Sequence, residues 1–300
     1  MKIKPRVKKK LAYCLLALAG AAQADDIPTP RVALLRTGMV AFSPEAVVTA
    51  GGRWLHNSPT VHTAVLVQHP QGNLLFDAGL GSRIREESAD MPWWWRPLLQ
   101  YQPETPARQQ LDTAGIAVTR IFLSHGHWDH VSGVRDFPDA EVWLPPLERD
   151  YLRQDGPPRV FPSQARDPQI RWQALHFNNG PYRGFETSHD VFGDGSVVLV
   201  PTPGHTPGAT SMFVNLSPTK RLLLVGDAIW RLTEAQQGSH KAWPAHLFAD
   251  RQRAQTDASI ARIAAALAEP GTTVIPTHDF ELQQTLGFFP DWISLGTLEK

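Results

Sequence analysis

Residues 124–130 carry an unusually dense set of potential metal ligands. They read Ser-His-Gly-His-Trp-Asp-His, so three imidazoles and one carboxylate fall within six positions. The segment directly follows an apolar run, residues 120–123, that predicts a strand. A glycine-containing loop after a strand lets alternate side chains converge on one point, and imidazole and carboxylate groups bind divalent transition metals. The spacing therefore predicts a metal site. Its candidate ligands are His125, His127, Asp129 and His130.

Three further potential ligands each follow an apolar run that also predicts a strand. They are His205 after residues 197–200, Asp227 after residues 221–225 and His278 after residues 273–276. In α/β proteins the carboxyl ends of several strands usually gather a site at one edge. Five histidines and two aspartates are enough for two divalent ions with a carboxylate between them. The predicted cofactor is therefore a pair of ions, with Zn²⁺ as the first choice and Mn²⁺ or Fe²⁺ as alternatives that suit the same ligands.

The elements that must position these ligands alternate between short strands and helices. Ten apolar runs predict strands, at residues 32–36, 61–68, 73–76, 120–123, 141–144, 170–176, 197–200, 211–214, 221–225 and 273–276. Helical periodicity is clearest at residues 250–268, and shorter helices are predicted at residues 105–113, 146–154 and 280–286. Strands interrupted by helices are typical of a layered α/β fold.

The first 24 residues have the pattern of a secretory signal peptide. They hold six of the 29 Lys and Arg residues and no acidic residue, and an apolar run at 11–22 leads to Ala-Gln-Ala. The apolar run is shorter than the ~20 residues of a membrane span. We expect cleavage near Ala24, export to the periplasm or beyond, and a single mature domain at residues 25–300. An uncleaved amphipathic anchor is the alternative. The only cysteine, Cys14, lies in this leader, so the mature chain has no thiol.

Composition favours a small-molecule substrate over nucleic acid. Without the leader, 23 basic side chains face 29 acidic ones, and such a balance does not favour neutralisation of phosphates. Several tryptophans predict an apolar pocket or lid for an acyl or aromatic substituent of the substrate. They are Trp93, Trp94, Trp95, Trp128 and Trp230. The alternative for this set is core packing or a contact between two copies in a homodimer.

The order of these residues resembles the metallo-β-lactamase superfamily of hydrolases. That family has the pattern H-x-H-x-D-H, then a later His, a bridging Asp and a final His, and residues 75–79 around Asp77 look like its Asp-x-Gly turn. The resemblance implies a four-layer αββα sandwich with two ions at one edge. It assigns His125, His127 and His205 to one ion and Asp129, His130 and His278 to the other, with Asp227 between them. Asp77 would orient a ligand histidine, and Asp129 and Asp227 would be the catalytic carboxylates.

Within that family, three segments are similar to the N-acyl homoserine lactonase group. They are residues 202–208 (TPGHTPG), residues 222–228 (LLLVGDA) and His278-Asp279-x-Glu281. The resemblance implies opening of a lactone ring by attack of a hydroxide that bridges the two ions. The lactonases carry a tyrosine three residues after the bridging Asp, where this sequence has Trp230. An indole N–H donates a hydrogen bond but does not transfer a proton at neutral pH.

Other functions remain open from the sequence alone. The hydrolase could act on an aryl ester, a phosphotriester or a β-lactam; Asp227 argues against the last, because the β-lactamases of this family lack that carboxylate. A mononuclear iron oxidoreductase similar to the persulfide dioxygenases is a second class, and a periplasmic metal-binding protein without catalysis is a third. The remaining histidines, among them His62 and His246, show no pattern and are predicted to be structural.

Overall fold

Two β-sheets lie face to face between outer layers of helix. The computed structural model describes residues 29–96, 101–238 and 240–299, so the predicted signal peptide, residues 1–24, lies outside the described residues. The strands are β1 (Arg31–Val40), β2 (Thr60–Gln68), β3 (Leu74–Phe76), β4 (Gln102–Pro103), β5 (Arg120–Phe122), β6 (Glu141–Leu144), β7 (Arg171–Ala174), β8 (His189–Asp190), β9 (Val197–Pro201), β10 (Thr210–Asn215), β11 (Arg221–Leu224) and β12 (Thr272–Ile275). The α-helices are α1 (Glu45–Val48), α2 (Ile84–Glu87), α3 (Ala107–Thr113), α4 (Trp128–Val131), α5 (Pro146–Gln154), α6 (Pro162–Ala165), α7 (Leu232–Gln236), α8 (Trp243–Phe248), α9 (Arg253–Leu267) and α10 (Phe280–Leu286).

The two sheets differ in size and in strand direction. The larger has the order β4-β1-β2-β3-β5-β6-β7 and the smaller the order β12-β11-β10-β9-β8. In the larger sheet, β1, β2 and β3 pair antiparallel, whereas β3, β5, β6 and β7 pair parallel. Parallel neighbours point their carboxyl ends toward the same edge of a sheet. The loops that leave this edge therefore start close together.

Alternation of side chains along the strands builds three apolar layers. Leu34 of the larger sheet and Met212 of the smaller belong to the buried cluster between the sheets. The outer face of the larger sheet, including Leu35, packs with Leu152 of α5. The outer face of the smaller sheet packs with Ile260 of α9. The order helix, sheet, sheet, helix confirms the predicted four-layer sandwich.

The elements with a clear periodic pattern are those that the sequence predicts. Each of the ten predicted strands lies on an observed strand, and the four predicted helices lie on α3, α5, α9 and α10. Strand β1 continues to Val40, beyond its predicted end, across a register shift between Arg36 and Gly38. The two-residue strands β4 and β8 and the helices of four to six residues were not predicted, because they are too short to show a period. Within the described part of the chain, no helix has the length and apolarity needed to cross a membrane.

Candidate metal centre

Four strand ends bring all seven predicted ligands to one edge of the sandwich. Residues 125–130 follow β5 of the larger sheet, whereas His205, Asp227 and His278 follow β9, β11 and β12 of the smaller sheet. All seven side chains are buried. The nitrogen and oxygen atoms of these seven side chains therefore form one group to which both sheets contribute.

The first cluster consists of His125, His127 and His205. The Nε2 atom of His205 lies 3.1 Å from Nε2 of His125 and 2.9 Å from Nδ1 of His127. Oδ2 of Asp227 lies 3.5 Å from the same His205 nitrogen. One ligand atom from each of these four residues lies within 4.8 Å of the others, which is a suitable spacing for one ion.

The second cluster consists of Asp129, His130 and His278. Oδ1 of Asp227 lies 3.3 Å from Nε2 of His130 and 3.2 Å from Nε2 of His278. Oδ2 of Asp129 lies 3.3 Å from the same His278 nitrogen. Although burial opposes its ionisation, His278 and His130 hold the pKa of Asp227 well below its usual value. Asp227 is therefore a carboxylate with one oxygen toward each cluster.

The hydrogen bonds around these histidines show that both clusters fit cations. Each ring nitrogen that faces away from its cluster has a partner. The pairs are His125 with Ser124, His127 with Tyr151, His205 with Asp250, His130 with Asp77, and His278 with the carbonyl of Val61. A neutral imidazole that donates through one nitrogen has a lone pair on the other, so the neutral rings of the first cluster turn lone pairs toward its centre. In the second cluster, although burial opposes it, the neighbouring carboxylates raise the pKa of His130 and of His278. A metal ion bound there would take the place of those protons. His130 Nε2 and Asp227 Oδ1 are buried and have no hydrogen-bond partner among the described residues.

The charge state of the first cluster also suits a metal. Burial, and then the neighbouring imidazoles, lower the pKa of His125 and His127 well below the usual value. Burial, followed by the cation of Lys241, lowers the pKa of His205 as well. Neutral imidazole is the form that binds metal ions. The first cluster is therefore already in its binding form at neutral pH.

Asp250 orients His205 from the protein side. Its Oδ1 accepts hydrogen bonds from His205 Nδ1 at 2.7 Å and from Lys241 Nζ at 2.9 Å, and its Oδ2 accepts one from His246 Nδ1 at 2.5 Å. Burial opposes its charge, but Lys241 and then His205 hold the pKa of Asp250 below its usual range. Carboxylates that accept from a ligand histidine fix its ring and its tautomer. Sequence reasoning missed Asp250 and assigned it to the start of a helix.

Asp77 lies beside His130, in the position that the sequence predicts for an orienting carboxylate. Its Oδ2 accepts from His130 Nδ1 and from Ser124 Oγ, both at 2.7 Å, and its Oδ1 accepts from the Ser124 backbone N–H at 2.7 Å. The backbone of Asp77 has a left-handed φ of 60° directly after β3. Such a conformation is costly for a residue other than glycine and is often found at functional sites.

Glu148 of α5 ties together the two loops of the first cluster. Its Oε1 accepts from the backbone N–H of Gly126 at 2.7 Å, and its Oε2 accepts from that of Gly208 at 2.8 Å. A Cβ atom at Gly208 would lie 2.6 Å from Cβ of Glu148, so the close approach requires glycine. Burial raises the pKa of Glu148 to about 7. The sequence gives little sign of this role, because an acidic residue in an amphipathic helix predicts an exposed side chain.

A cavity of ≈ 340 Å³ lies over the two clusters. Its polar side includes His127, Asp129, Asp227 and His278, and its other walls are largely apolar. Trp230 contributes to the wall and donates from Nε1 to Asp227 Oδ2 at 2.9 Å. The cavity thus places an apolar binding surface directly beside the candidate ligands.

The predicted tryptophans divide between the cavity and the surface. Trp95, Trp128 and Trp230 line the cavity. Trp93 and Trp94 do not, and they are 79% and 58% exposed, so the prediction of a pocket wall is wrong for these two, and a role as a lid stays a prediction. The ring of Trp94 stacks on that of Trp95 at 5.5 Å. Of the three consecutive tryptophans only Trp95 reaches the cavity, with its ring 5.9 Å from that of Phe248.

His62 of β2 borders the cavity, although the sequence analysis predicts a structural role for it. Its Nδ1 lies 3.1 Å from Asp129 Oδ2, and its Nε2 is buried without a hydrogen-bond partner. One ligand atom each from His62, Asp129 and His278 lies within 4.8 Å of the others. A single histidine within an apolar strand carries no pattern. Only the position of β2 in the sheet, which the sequence does not reveal, brings His62 to the site.

Comparison with known proteins identifies the family. Residues 57–278 match the model of the metallo-beta-lactamase superfamily. The chain belongs to this superfamily. It is 28% identical over 228 residues to N-acyl homoserine lactonase AttM of Rhizobium radiobacter. This alignment covers 71% of this chain and 80% of that protein. The chain also aligns with the structure of a mutant of AiiA from B. thuringiensis that has N-decanoyl-L-homoserine bound at the active site. The TM-score is 0.69 and the identity 18%, over 89% of this chain and 100% of the other.

A second solved structure that this chain resembles is that of AidC, a dizinc quorum-quenching lactonase in complex with a product. Its TM-score is 0.59 at 18% identity, over 85% of this chain and 92% of that one. At these identities the structural likeness shows the fold. Together with the family match, it confirms the predicted superfamily and the predicted class, a lactonase-like metal-dependent hydrolase.

Proposed function

We propose that the protein is a binuclear metallo-hydrolase that opens the ring ester of a lactone, with N-acyl homoserine lactones as the first substrates to test. The observation that carries the proposal is the position of Asp227. One of its oxygens lies 3.5 Å from a nitrogen of the first cluster, and the other lies 3.2 Å from a nitrogen of the second. A carboxylate in this position belongs between two cations. The likeness to a protein named N-acyl homoserine lactonase supports the substrate class.

In this proposal each cluster holds one divalent ion, and zinc is the first candidate. The ligands are His125, His127 and His205 for one ion and Asp129, His130 and His278 for the other, with Asp227 shared. A pair of such ions lowers the pKa of a bound water to about 7 and stabilises negative charge on an ester oxygen. The chain supplies the rest: the outer hydrogen bonds fix the ligand rings, and their tautomers keep the inward nitrogens unprotonated.

The cavity positions the substrate in this proposal. Its apolar walls suit an acyl substituent, and Asp129 lies on its polar side beside His62. We assign to the ionised Asp129 carboxylate the role of accepting a proton from the attacking water and passing it to the ring oxygen, which would leave as the hydroxyl group of the opened lactone. Trp230 has another role than the lactonase tyrosine, because its N–H is directed at Asp227. It fixes the shared carboxylate.

A substrate panel tests the reaction. Wild-type protein with bound metal is assayed on an N-acyl homoserine lactone, an aryl ester, a phosphotriester and a β-lactam, and ring opening is followed by product chromatography. We expect the lactone to be preferred. Asp227→Ala should lose turnover and about one of two ions per chain, whereas the exposed-site control Asp139→Ala should keep both. Full activity of Asp227→Ala, or preference for another substrate of the panel, would refute the proposal.

We further propose that the enzyme is exported after removal of residues 1–24. The basic start and the apolar run at 11–22 support this proposal. Sequencing the amino terminus of protein recovered from the periplasm or the medium should give Asp25 as the first residue. Recovery of the intact chain from the cytosol would contradict it.

A further inference from the structure

Exposed apolar side chains concentrate on one part of the described surface. Of the large hydrophobic side chains that are exposed there, all but Leu147 and Leu295 lie on three segments, residues 42–55, 93–94 and 243–248. Four of them are tryptophans: Trp54, Trp93, Trp94 and Trp243. The others are two phenylalanines and two leucines of the same segments. Single exposed apolar residues are ordinary, but a contiguous group marks an interaction site.

These three segments also form the mouth of the cavity. Val47 of the first segment, Phe248 of the third and Trp95, which directly follows the second, line its wall. Helix α1 packs against α8, and the ring of Trp95 lies 5.9 Å from that of Phe248. We call residues 42–57, 91–96 and 242–253 the apolar rim. The exposed residues are thus continuous with the entrance to the candidate active site.

The apolar rim also contains exposed arginines. Arg53, Arg96, Arg251 and Arg253 are exposed. The acidic residues of the rim are Glu45, which pairs with Arg53 at 3.3 Å, and Asp250, which is buried with Lys241. Arg251 and Arg253 also lie 3.9 Å from Asp155 and Asp257, which border the rim. The four exposed arginines therefore face three half-buried carboxylates, and the rim with its border keeps a net positive charge of one. Tryptophan together with arginine is the composition of surfaces that lie in the headgroup region of an anionic bilayer.

We propose that the apolar rim docks on the surface of a phospholipid bilayer that contains anionic headgroups, with the cavity mouth toward the lipid. A second protein copy on the same rim would cover the entrance that the substrate must use. A lipid surface leaves the entrance usable, because amphiphilic molecules that partition into the bilayer reach the cavity from it. The inference stands on exposure, continuity and charge, and does not rest on the reaction proposed above.

Vesicle sedimentation tests the docking. The full chain with bound metal is incubated with vesicles of phosphatidylethanolamine and phosphatidylglycerol, and separately with vesicles of phosphatidylcholine alone. The double variant Trp93→Ser/Trp243→Ser should need at least about tenfold more lipid for half-binding. Leu147→Ser removes an equally exposed apolar side chain outside the rim and should bind like the wild type. Arg253→Glu should weaken binding about fivefold or more on the anionic vesicles and little on phosphatidylcholine.

Every variant keeps the same amino-terminal segment, so differences between variants report on the rim alone. All changed side chains are exposed, and circular dichroism with metal analysis verifies that the fold is intact. The proposal is overturned if the rim variants bind like the wild type, or if the wild type does not bind anionic vesicles. It is also overturned if the wild type forms dimers that Trp93→Ser/Trp243→Ser abolishes, because the rim is then an interface between copies.

Discussion

The substitution Glu148→Gln should change how the stability of the protein depends on pH. Glu148 is fully buried and accepts the backbone N–H groups of Gly126 and Gly208. Burial raises the pKa of Glu148 from its usual value of 4.5 to about 7. Because each tenfold change in proton affinity is about 1.4 kcal/mol, this shift corresponds to about 3 kcal/mol.

The sign follows from the direction of the pKa shift. Since the folded state binds the Glu148 proton more tightly than the unfolded state does, the stabilising contribution is complete below pH 4.5 and is lost as pH rises toward 7. Glutamine has no proton to lose. The free energy of unfolding of the wild type should therefore fall by about 3 kcal/mol relative to that of Glu148→Gln between about pH 4.5 and pH 8. A constant offset of about 1–3 kcal/mol is expected in addition, because the Gln amide group faces a buried N–H.

Chemical denaturation of both proteins across this pH range, at one zinc concentration, measures the difference. Release of metal at low pH affects both proteins, so it cancels in the comparison. The exposed-site variant Glu86→Gln should give a difference that does not change with pH. The reasoning is refuted if the difference between wild type and Glu148→Gln is also constant, or if it changes in the opposite direction.

Three further substitutions test the hydrogen bonds around the metal centre. Asp250→Asn should weaken metal binding about 10- to 100-fold in a competition with a chelator, because the amide group cannot accept hydrogen bonds from all the partners of the carboxylate. The control change Asp139→Asn, at an exposed site, should have no effect. Trp230→Phe removes the N–H donated to Asp227 and should lower kcat/KM for the lactone about 10- to 100-fold; an unchanged kcat/KM would show that the bond is not needed. His62→Ala leaves Asp129 without its side-chain donor and should lower kcat without loss of the first-cluster ion; loss of both ions would contradict this assignment.

The metal ligands could be predicted from the sequence, because their spacing and their positions directly after predicted strands are recognisable there. The cluster at residues 125–130 is local in sequence. His205, Asp227 and His278 could be placed with it because strand ends converge at a sheet edge and because the family pattern names their order. The role of Asp77 was predicted from the resemblance to the family's Asp-x-Gly turn. The ligands themselves lie at strand ends that short apolar runs already predict.

The residues that support the ligands could not be predicted in the same way. Asp250, Glu148 and His62 reach the centre from a loop, a helix and a strand that carry no local motif. Each contacts a residue at least 22 positions away along the chain. Such contacts depend on how α5 packs on the larger sheet and on where β2 lies. Periodicity shows which face of a helix or strand is buried, but it does not show which polar group that face contacts.

Metal binding is coupled to folding, because the ligands come from both sheets. Residues 125–130 extend from the larger sheet, and Asp227 and His278 extend from the smaller one. Without cations, the inward nitrogens of the first cluster face one another and Asp227 Oδ2 as acceptors, which disfavours their close approach. Bound ions turn the same contacts into attraction. They therefore add to the apolar layer and to the hydrogen bonds, such as that from the Thr210 N–H to the Ser124 carbonyl, that already join the two sheets. Folding in turn favours metal binding, because the packed apolar layer between the sheets holds the ligands in position before the ions bind. The sandwich and its metal centre therefore stabilise each other.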